Sequence, residues 1–452
     1  MAPQSVIIRR SAPRILQGAG YNEQMDQSLS ARLKTYLARP IWQQLQALCQ
    51  LADQQQVQLY LVGGLVRDCL MDQPSIDLDI VVVGDAPTFA QTVKQQFNGR
   101  LHVHEQFRTA TWFPAKNSYY IDFITARSET YPQPGALPVI TPSTSIKDDL
   151  RRRDFPVNAL AIRLDGAHFG QLVDHLNGLD DLQAGIIRVL HEQSFQDDAT
   201  RMWRAVRYEQ RLRFMLEPQT AAWLKRDLPY LNTISGDRIR HELVLILMEP
   251  TRAYSLARLD ELGILRYIAE GLHWQPQAAA WFARLPHEAE WPLFLALWLL
   301  TQTAEVRTAA LDYLNFSNDV EDLVVQTAAV VDMVEAARWT QTTRPSVIEK
   351  QLRPFAKDDD LLTAVQAALP PESTAVRLLN NYRQTWRHVQ TAVDGHTLRQ
   401  QGLPPGPIYR TILDQILAAK LDGEATTAEA EQQLLADILS RLSGSPRDES
   451  QG

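Results

Sequence analysis

Hydrophobic periodicity changes character once along this chain, and that change limits the folds open to it. Between about residues 57 and 170, the segments VQLYLVGG, IDLDIVVVG, RLHVHEQF, TATWFPA and SYYIDFITA have strand length and are rich in β-branched and aromatic residues. Turn signals separate them, and APTFAQTVKQQF, after the second run, has helical spacing instead. After about residue 195 strand signals nearly vanish. RMWRAVRYEQRLRF, RIRHELVLILM, YSLARLDELGILRYIAEG and VEDLVVQTAAVVDMVEAARW carry apolar residues at i, i+3 and i+4. The expected order is a small α/β domain and then a helical region. With 452 residues the chain exceeds the size at which one core keeps growing, so roughly two to four domains are expected. The breaker-rich stretch 132–145, PQPGALPVITPSTS, reads as a loop. The first forty residues read as a polar arm ending in a helix, QSLSARLKTYLAR, and RLSGSPRDESQG reads as a tail.

Composition removes several classes of function. Lys plus Arg number 45 against 53 Asp plus Glu, a net charge of -8, which argues against a generally basic nucleic-acid coat and confines RNA contact to local patches. Cys49 and Cys69 are too few for a disulfide framework or a thiolate metal site. They read as buried small hydrophobes, in keeping with a reducing cytosol. MAPQSVIIRRSAPR lacks the apolar core of a signal peptide, and WPLFLALWLL is about half a membrane span. The expectation is a soluble cytoplasmic protein.

Within the strand IDLDIVVVG, Asp77 and Asp79 stand at i and i+2, so their carboxylates share one face. Like charges that close repel unless something neutralises them. Mg²⁺ does so, typically taking one or two carboxylates together with substrate phosphates; capping or pairing with nearby arginines at a strand edge is the other reading. LVGGLVRDCL puts Gly63 and Gly64 between a strand and a helix, where backbone N–H groups can approach a phosphate, with Arg67 one turn on. A plain strand-to-helix turn also accounts for two glycines. In DDLRRRDFPVNALAIRL three arginines adjoin an acid, either as a solvated turn or as fixed cations for a triphosphate.

DDATRMWRAVRYEQRLRF places Asp198, Arg201, Arg204 and Arg207 at i, i+3 spacing, one stripe of a helix. Stacked cations call for an anion such as a nucleotide or RNA backbone, or else form a solvated basic face. Asp122, in YYIDFI, is a third acid on a strand that could face the first two, as catalytic helper or as structural acid. His102 and His104 share a strand face, but with no further ligand evident nearby they read as ordinary strand residues. No histidine–aspartate phosphohydrolase signature is visible in the helical half.

In chain order, GG-x-V-R-D, D-x-D, RRDF-x-x-NA and D-D-x-x-R continuing R-A-V-R-Y resemble the class II nucleotidyltransferases, which comprise the tRNA CCA-adding enzymes and bacterial poly(A) polymerases. IDFITARSETY is similar to that family's strand leading to a loop, SGDRIRHELVLIL and LDELGILRYI to its neck and body, and GHTLRQQGLPPGPIYRTILDQILAAKLDG to its tail. The resemblance runs from Leu61 to roughly Ala430. It implies an α+β fold: an N-terminal nucleotidyltransferase head with a small mixed β-sheet, followed by an all-α neck, body and tail. The implied boundaries are an arm and leading helix at 1–55, head 56–170, neck 171–250, body 251–375, tail 376–440 and a disordered end at 441–452.

The resemblance also implies roles. Asp77 and Asp79 are the catalytic pair and the ligands of two Mg²⁺ ions; Gly64 and Arg67 contact nucleotide phosphates; Arg153 and Asp154 hold the nucleotide. Asp198 and Arg201 read the base, with Arg204 and Arg207 following on the same helix face, and Gly63, Asp122, Arg152 and Asp197 are further candidates. A carboxylate only accepts and a guanidinium only donates, so an Asp–Arg pair complements cytosine and adenine and mismatches uracil and guanine. Three positions depart from the family pattern: Asp197 where Glu is usual, Pro156 where Thr is common, and Arg108 where Gly is usual. The implied activity is addition of CMP and/or AMP, from CTP or ATP, to the 3′ end of tRNA held by its acceptor stem and elbow, with release of pyrophosphate. A poly(A) polymerase and a catalytically inactive RNA-binding protein of the same fold are the alternatives.

Overall fold

The computed structural model describes residues 23–75, 77–115 and 119–443. The readings of residues 1–22 as a polar arm and of 444–452 as a disordered end lie outside the described residues. The chain forms two compact units, one up to Ile268 and one from Ala269.

In the first unit α1 (Glu23–Tyr36) and α2 (Arg39–Gln55) lead into the head. Its strands are β1 (Gln58–Val62), β2 (Leu78–Val83), β3 (Arg100–His104), β4 (Thr109–Phe113), β5 (Ile121–Thr125), β6 (Arg127–Thr130), β7 (Val139–Pro142), β8 (Ala161–Arg163) and β9 (Leu172–Val173). Seven of them make one mixed sheet in the order β3-β4-β5-β2-β1-β8-β9. Only β2 and β5 run parallel; every other pairing is antiparallel. Three helices complete the head: α3 (Gly64–Leu70), α4 (Ala86–Phe97) and α5 (Ile146–Arg151).

Strand alternation explains the two faces of β2. Leu78, Ile80 and Val82 are buried on the side of α4, where Phe89 meets Phe123 edge-to-face at 5.5 Å. The Asp85 side chain caps α4 by accepting the Thr88 N–H at 3.0 Å. On the other face Val81 joins Tyr60, Val62, Ile146 and Leu150 in an apolar cluster under α5. Asp79 lies on this second face, so one strand carries a dry half and a charged end.

Two expectations are corrected here. Residues 132–145 are not loop throughout, because β7 pairs antiparallel with β6, Glu129 opposite Ile140. Pro142 concealed it, yet a proline is tolerated at an edge where its missing N–H costs nothing. Nor is the end of the arm loose: the helix expected there is present as α1, and it is packed against the head. Leu29 and Leu33 are fully buried, and Arg32 donates to the Cys69 and Leu70 carbonyls at 2.9 and 3.1 Å, a cation on the C-terminal end of α3.

The stretch expected as the neck contains α6 (Gly178–Ala184), α7 (Ser194–Asp197), α8 (Thr200–Leu212), α9 (Pro218–Asp227) and α10 (Gly236–Met248). A short parallel pair, β10 (Ile186–Ile187) with β11 (Met215–Leu216), lies within it. The segment YSLARLDELGILRYIAEG is broken: a helix spans Arg252–Glu261, Gly263 takes φ 73° and a 3₁₀ turn follows at Leu265–Tyr267.

The second unit is helical among its described residues. Its helix Trp291–Leu300 is buried without a break from Leu293 to Leu299, so the apolar run WPLFLALWLL is a central core helix. No described helix is long and apolar enough to cross a membrane. Val393, Leu398, Ile412, Ile416, Leu435 and Ile438 form the core of the last helices. The final one, Ala428–Ser443, is helical through 441–443, residues expected to be disordered.

Candidate active site

The parallel register of β2 and β5 sets Asp79 beside Asp122. Asp77, two residues before Asp79, lies on the same side. Thr111 on β4 stands opposite Asp122 and donates its hydroxyl to Oδ1 at 2.5 Å. Burial pushes the Asp79 carboxyl up from 3.8 to about 6; Arg153 works against it, while Asp122 and Asp77 push further up. Such a carboxylate gains from a cation. No described group of three or more His, Cys, Asp and Glu forms a protein cage for a metal. Two hard carboxylates without a cage fit Mg²⁺, which keeps positions for water and substrate phosphate.

Gly63 joins these carboxylates to the arginines. It takes φ 74° at the start of α3, and a Cβ there would lie 3.2 Å from Arg153 Nη1 and 3.6 Å from Asp79 Oδ2. Only a residue without a side chain lets both groups close over the strand end. Asp149 fixes the arginines: it accepts from Arg153 Nη2 and from Arg152 Nε, each at 3.0 Å. Burial opposes ionisation of Asp149, but Arg153 and Arg152 outweigh it and hold the carboxyl below its ordinary range. Arg153 Nε is buried with no hydrogen-bond partner.

Arg67 and Asp154 are engaged inside the protein. Arg67, 1% exposed, donates to Asp68 at 2.8 Å and to Asn158 at 2.5 Å, and stacks 5.1 Å from the Tyr208 ring. Its Nη2 would lie 3.6 Å from a Cβ on Gly64, and its backbone N–H donates to Gly63 O at 3.3 Å. Asp154 accepts from the Phe155 N–H, from Asn158 Nδ2 and from Arg204 Nε, the last at 2.9 Å. Pro156 opens a 3₁₀ turn, a position at which a missing N–H is harmless.

The helical stripe expected from sequence is shorter by one residue. Asp198 is extended (φ -145°, ψ 102°) between α7 and α8, and its Oδ1 accepts the Thr200 N–H at 3.0 Å, the Thr200 hydroxyl and Arg238 Nη2 at 2.8 Å. Asx capture of an N–H two residues on competes with helix geometry, and here it wins. Arg201, Arg204 and Arg207 do lie on α8. Carboxylates of the protein already lie against two of them: Asp154 and Glu242 on Arg204, Glu242 and Glu249 on Arg207. Among the described residues Arg201 has no carboxylate partner. Three neutral oxygens hold it, Ser194 O at 3.2 Å, Arg152 O at 3.3 Å and Tyr131 Oη at 3.3 Å, with its guanidinium 5.7 Å from the Tyr131 ring centre. Asp197 faces His191 instead, at 3.6 Å.

Several residues that organise the site escaped the sequence reading, namely Glu129, Tyr131, Asp149 and Arg238. Their signal was present: R-S-E-T-Y alternates along a strand, and D-R follows a serine at a helix start. The loop after β6 also meets the neck. Gly135, at φ 76°, leaves so little room that a Cβ would lie 2.5 Å from Thr233 O, and its carbonyl accepts from Arg238 Nη1 at 3.1 Å.

Residues 59–188 match the family described as Poly A polymerase head domain, and residues 213–275 match the probable RNA and SrmB-binding site of polymerase A. An A-adding tRNA nucleotidyltransferase of Halalkalibacterium halodurans is 34% identical over 389 residues, 82% of this chain and 86% of that protein. This chain belongs to the class II tRNA nucleotidyltransferases. Another member of the tRNA nucleotidyltransferases, the A-adding enzyme of Geobacter sulfurreducens, is 33% identical over 423 residues and 89% of this chain. The chain spans about half of that relative's length, 47%. The Thermotoga maritima CCA-adding enzyme complexed with tRNA is similar at TM-score 0.70 and 28% identity, over 91% of this chain and 98% of that one.

Proposed function

We propose that this protein is a cytoplasmic enzyme that transfers a nucleotidyl group from ATP to the 3′ end of tRNA, releasing pyrophosphate. The observation that carries the reading is the closure of Arg153 and Asp79 over Gly63, beside Asp122 and Asp77. The names of the Halalkalibacterium and Geobacter relatives support adenosine as the added nucleotide.

Asp77 and Asp79 would hold two Mg²⁺ ions, which supply acidity to the attacking hydroxyl and charge neutralisation to the departing triphosphate. The chain's own residues do the rest. Arg153 and Arg152, fixed on the buried Asp149, present cations to the triphosphate without having to reorganise. Thr111 holds Asp122 Oδ1 on the β4 side of that strand and fixes the carboxylate's orientation. Among the described residues Asp198 Oδ2 has no hydrogen-bond partner, which leaves it as acceptor for the exocyclic amino group of adenine, and Arg201 supplies the donor for the neighbouring ring nitrogen.

The test supplies purified protein with Mg²⁺, labelled ATP or CTP, and tRNA ending either in CC or at the discriminator base. Label from ATP on the CC-ending tRNA alone is the expected result. Incorporation of both nucleotides would make the enzyme CCA-adding, and equal tailing of unrelated RNA would make it a poly(A) polymerase. RNA binding without transfer would overturn the enzymatic reading.

A further inference from the structure

The face of the sheet that carries the carboxylates continues outward as an aromatic strip. Thr111 stands opposite Asp122 in the antiparallel β4–β5 pair, and two residues further along that register Phe113 comes beside Tyr120. Their ring centres are 5.9 Å apart. Tyr120 precedes β5 by one residue and Asp122 by two, so it lies on the side of the strand from which Asp122 projects. Burial raises the Tyr120 phenol, and Asp77, Asp122 and Asp79 raise it further, which places the ring in the field of all three carboxylates. Even so the residue is 42% exposed. On the next strand Arg100 is the register partner of Phe113, with its guanidinium 5.4 Å from the ring centre.

A single exposed tyrosine is ordinary on a protein surface. The position of this one is not. Gly63 and Arg153 lie on the β1 side of the carboxylates, and Tyr120 lies on the β5 side. In nucleotidyl transfer the attacking and leaving oxygens are roughly in line, on opposite sides of the phosphorus. With the leaving pyrophosphate at Gly63 and Arg153, the attacking 3′-hydroxyl must come from the β5 side. The nucleoside that bears that hydroxyl then lies over Tyr120. Every base has a face that stacks on an aromatic ring, and a nearby guanidinium suits the phosphate that follows.

We propose that Tyr120 is the stacking platform for the terminal nucleoside of the acceptor RNA strand, with Phe113 backing the ring and Arg100 meeting the strand's phosphates. The proposal rests on the nucleotidyl-transfer reading and adds to it a subsite for the second substrate. Tyr120→Phe keeps the platform, whereas Tyr120→Ala removes it.

The experiment uses the full chain and tRNA ending in CC. Tyr120→Ala is expected to raise the KM for this tRNA about tenfold or more while the KM for ATP stays near the wild-type value, and Tyr120→Phe is expected to behave like wild type. An independent readout needs no variant. tRNA carrying 5-iodocytidine as its terminal residue, irradiated in complex with the wild-type protein, should crosslink to the peptide containing Tyr120. Unchanged tRNA KM in Tyr120→Ala, an equal rise in the KM for ATP, or a crosslink mapping elsewhere would overturn the subsite. If the wild-type protein transfers no nucleotide to any tRNA, the proposed function fails; if transfer is normal and Tyr120→Ala is indistinguishable from wild type, only the present inference fails.

Discussion

Arg201 Nη2 donates to Tyr131 Oη at 3.3 Å, and that phenol donates in turn to Glu129 Oε2 at 3.3 Å. Glu129 also accepts from Arg152, whose other partner, Asp149, holds Arg153. One continuous set of hydrogen bonds therefore runs from the arginine beside Asp79 to the arginine assigned to the base. Tyr131→Phe removes two of these bonds and keeps the ring under Arg201, a change of roughly 1–2 kcal/mol. It should lower kcat/KM for ATP about tenfold while misincorporation of GTP stays level. Steady-state kinetics with all four nucleotides decides the matter, and an equal loss for each would assign the phenol to the fold alone.

Asp79 ties stability to pH. Its carboxyl is pushed by burial up to about 6 in the folded chain against an ordinary 3.8, so the folded state favours the protonated form. The stabilisation from that proton is present in full below about pH 4 and is lost as pH rises through 6. The difference corresponds to roughly 3 kcal/mol. In EDTA, Asp79→Asn should thus be more stable than wild type at pH 7.5, with the margin shrinking toward pH 4. Added Mg²⁺ should narrow it at pH 7.5 by stabilising only the wild type. Urea melts across this range are the check, and a margin that did not change with pH would contradict the raised Asp79 carboxyl.

Arg204 and Asp154 form a pair between α8 and the segment preceding the 3₁₀ turn. Arg204→Ala leaves Asp154 buried as an ion without its cation, an expected loss of about 3 kcal/mol together with lower activity toward every nucleotide. Adding Asp154→Asn should recover part of that stability. A double-mutant cycle in which the two losses simply add would show that the pair is not coupled.

Asp198→Ala removes the acceptor proposed for the amino group of adenine, and the expected loss is roughly 1–3 kcal/mol with ATP that GTP and UTP do not share. Arg238→Ala releases one of the groups that orient Asp198, so it should lower the ATP-to-GTP ratio in the same direction and by less. The ratio of kcat/KM values is the measurement. A larger effect for Arg238→Ala than for Asp198→Ala would reassign the base contact.

The sequence made legible what periodicity and adjacency control. α4 and the strands around Asp79 and Asp122 follow from alternation and caps, and Asp77 with Asp79 follows from a spacing of two. What escaped depends on partners distant in the chain. The anions beside Arg204 and Arg207 are Asp154 and Glu242, 50 and 35 positions away, so a helical stripe of arginines that asked for a ligand is largely neutralised by the protein. Asp198 left the helix because a D-A-T sequence caps better than it continues, a competition that helix spacing alone does not register. The aromatic strip is local, seven positions from Phe113 to Tyr120, but it emerges only from the register of the β4–β5 pair.

The placement of β1 between β2 and β8 bears on how the chain is made. The Leu59 N–H is bonded to Asp165 Oδ1, 106 positions later, and β1 cannot complete its ladder until β8 exists. At ~5–20 residues per second, the intervening hundred or so residues take about 5–20 s to synthesise. In the later part of that interval, once residue 125 is made, β2 and β5 can already be zipped together while one edge of an almost wholly apolar strand stays open. The nascent head thus acquires its repelling carboxylates before the arginines at 152 and 153 have left the ribosome, and it is most prone to aggregate in that interval.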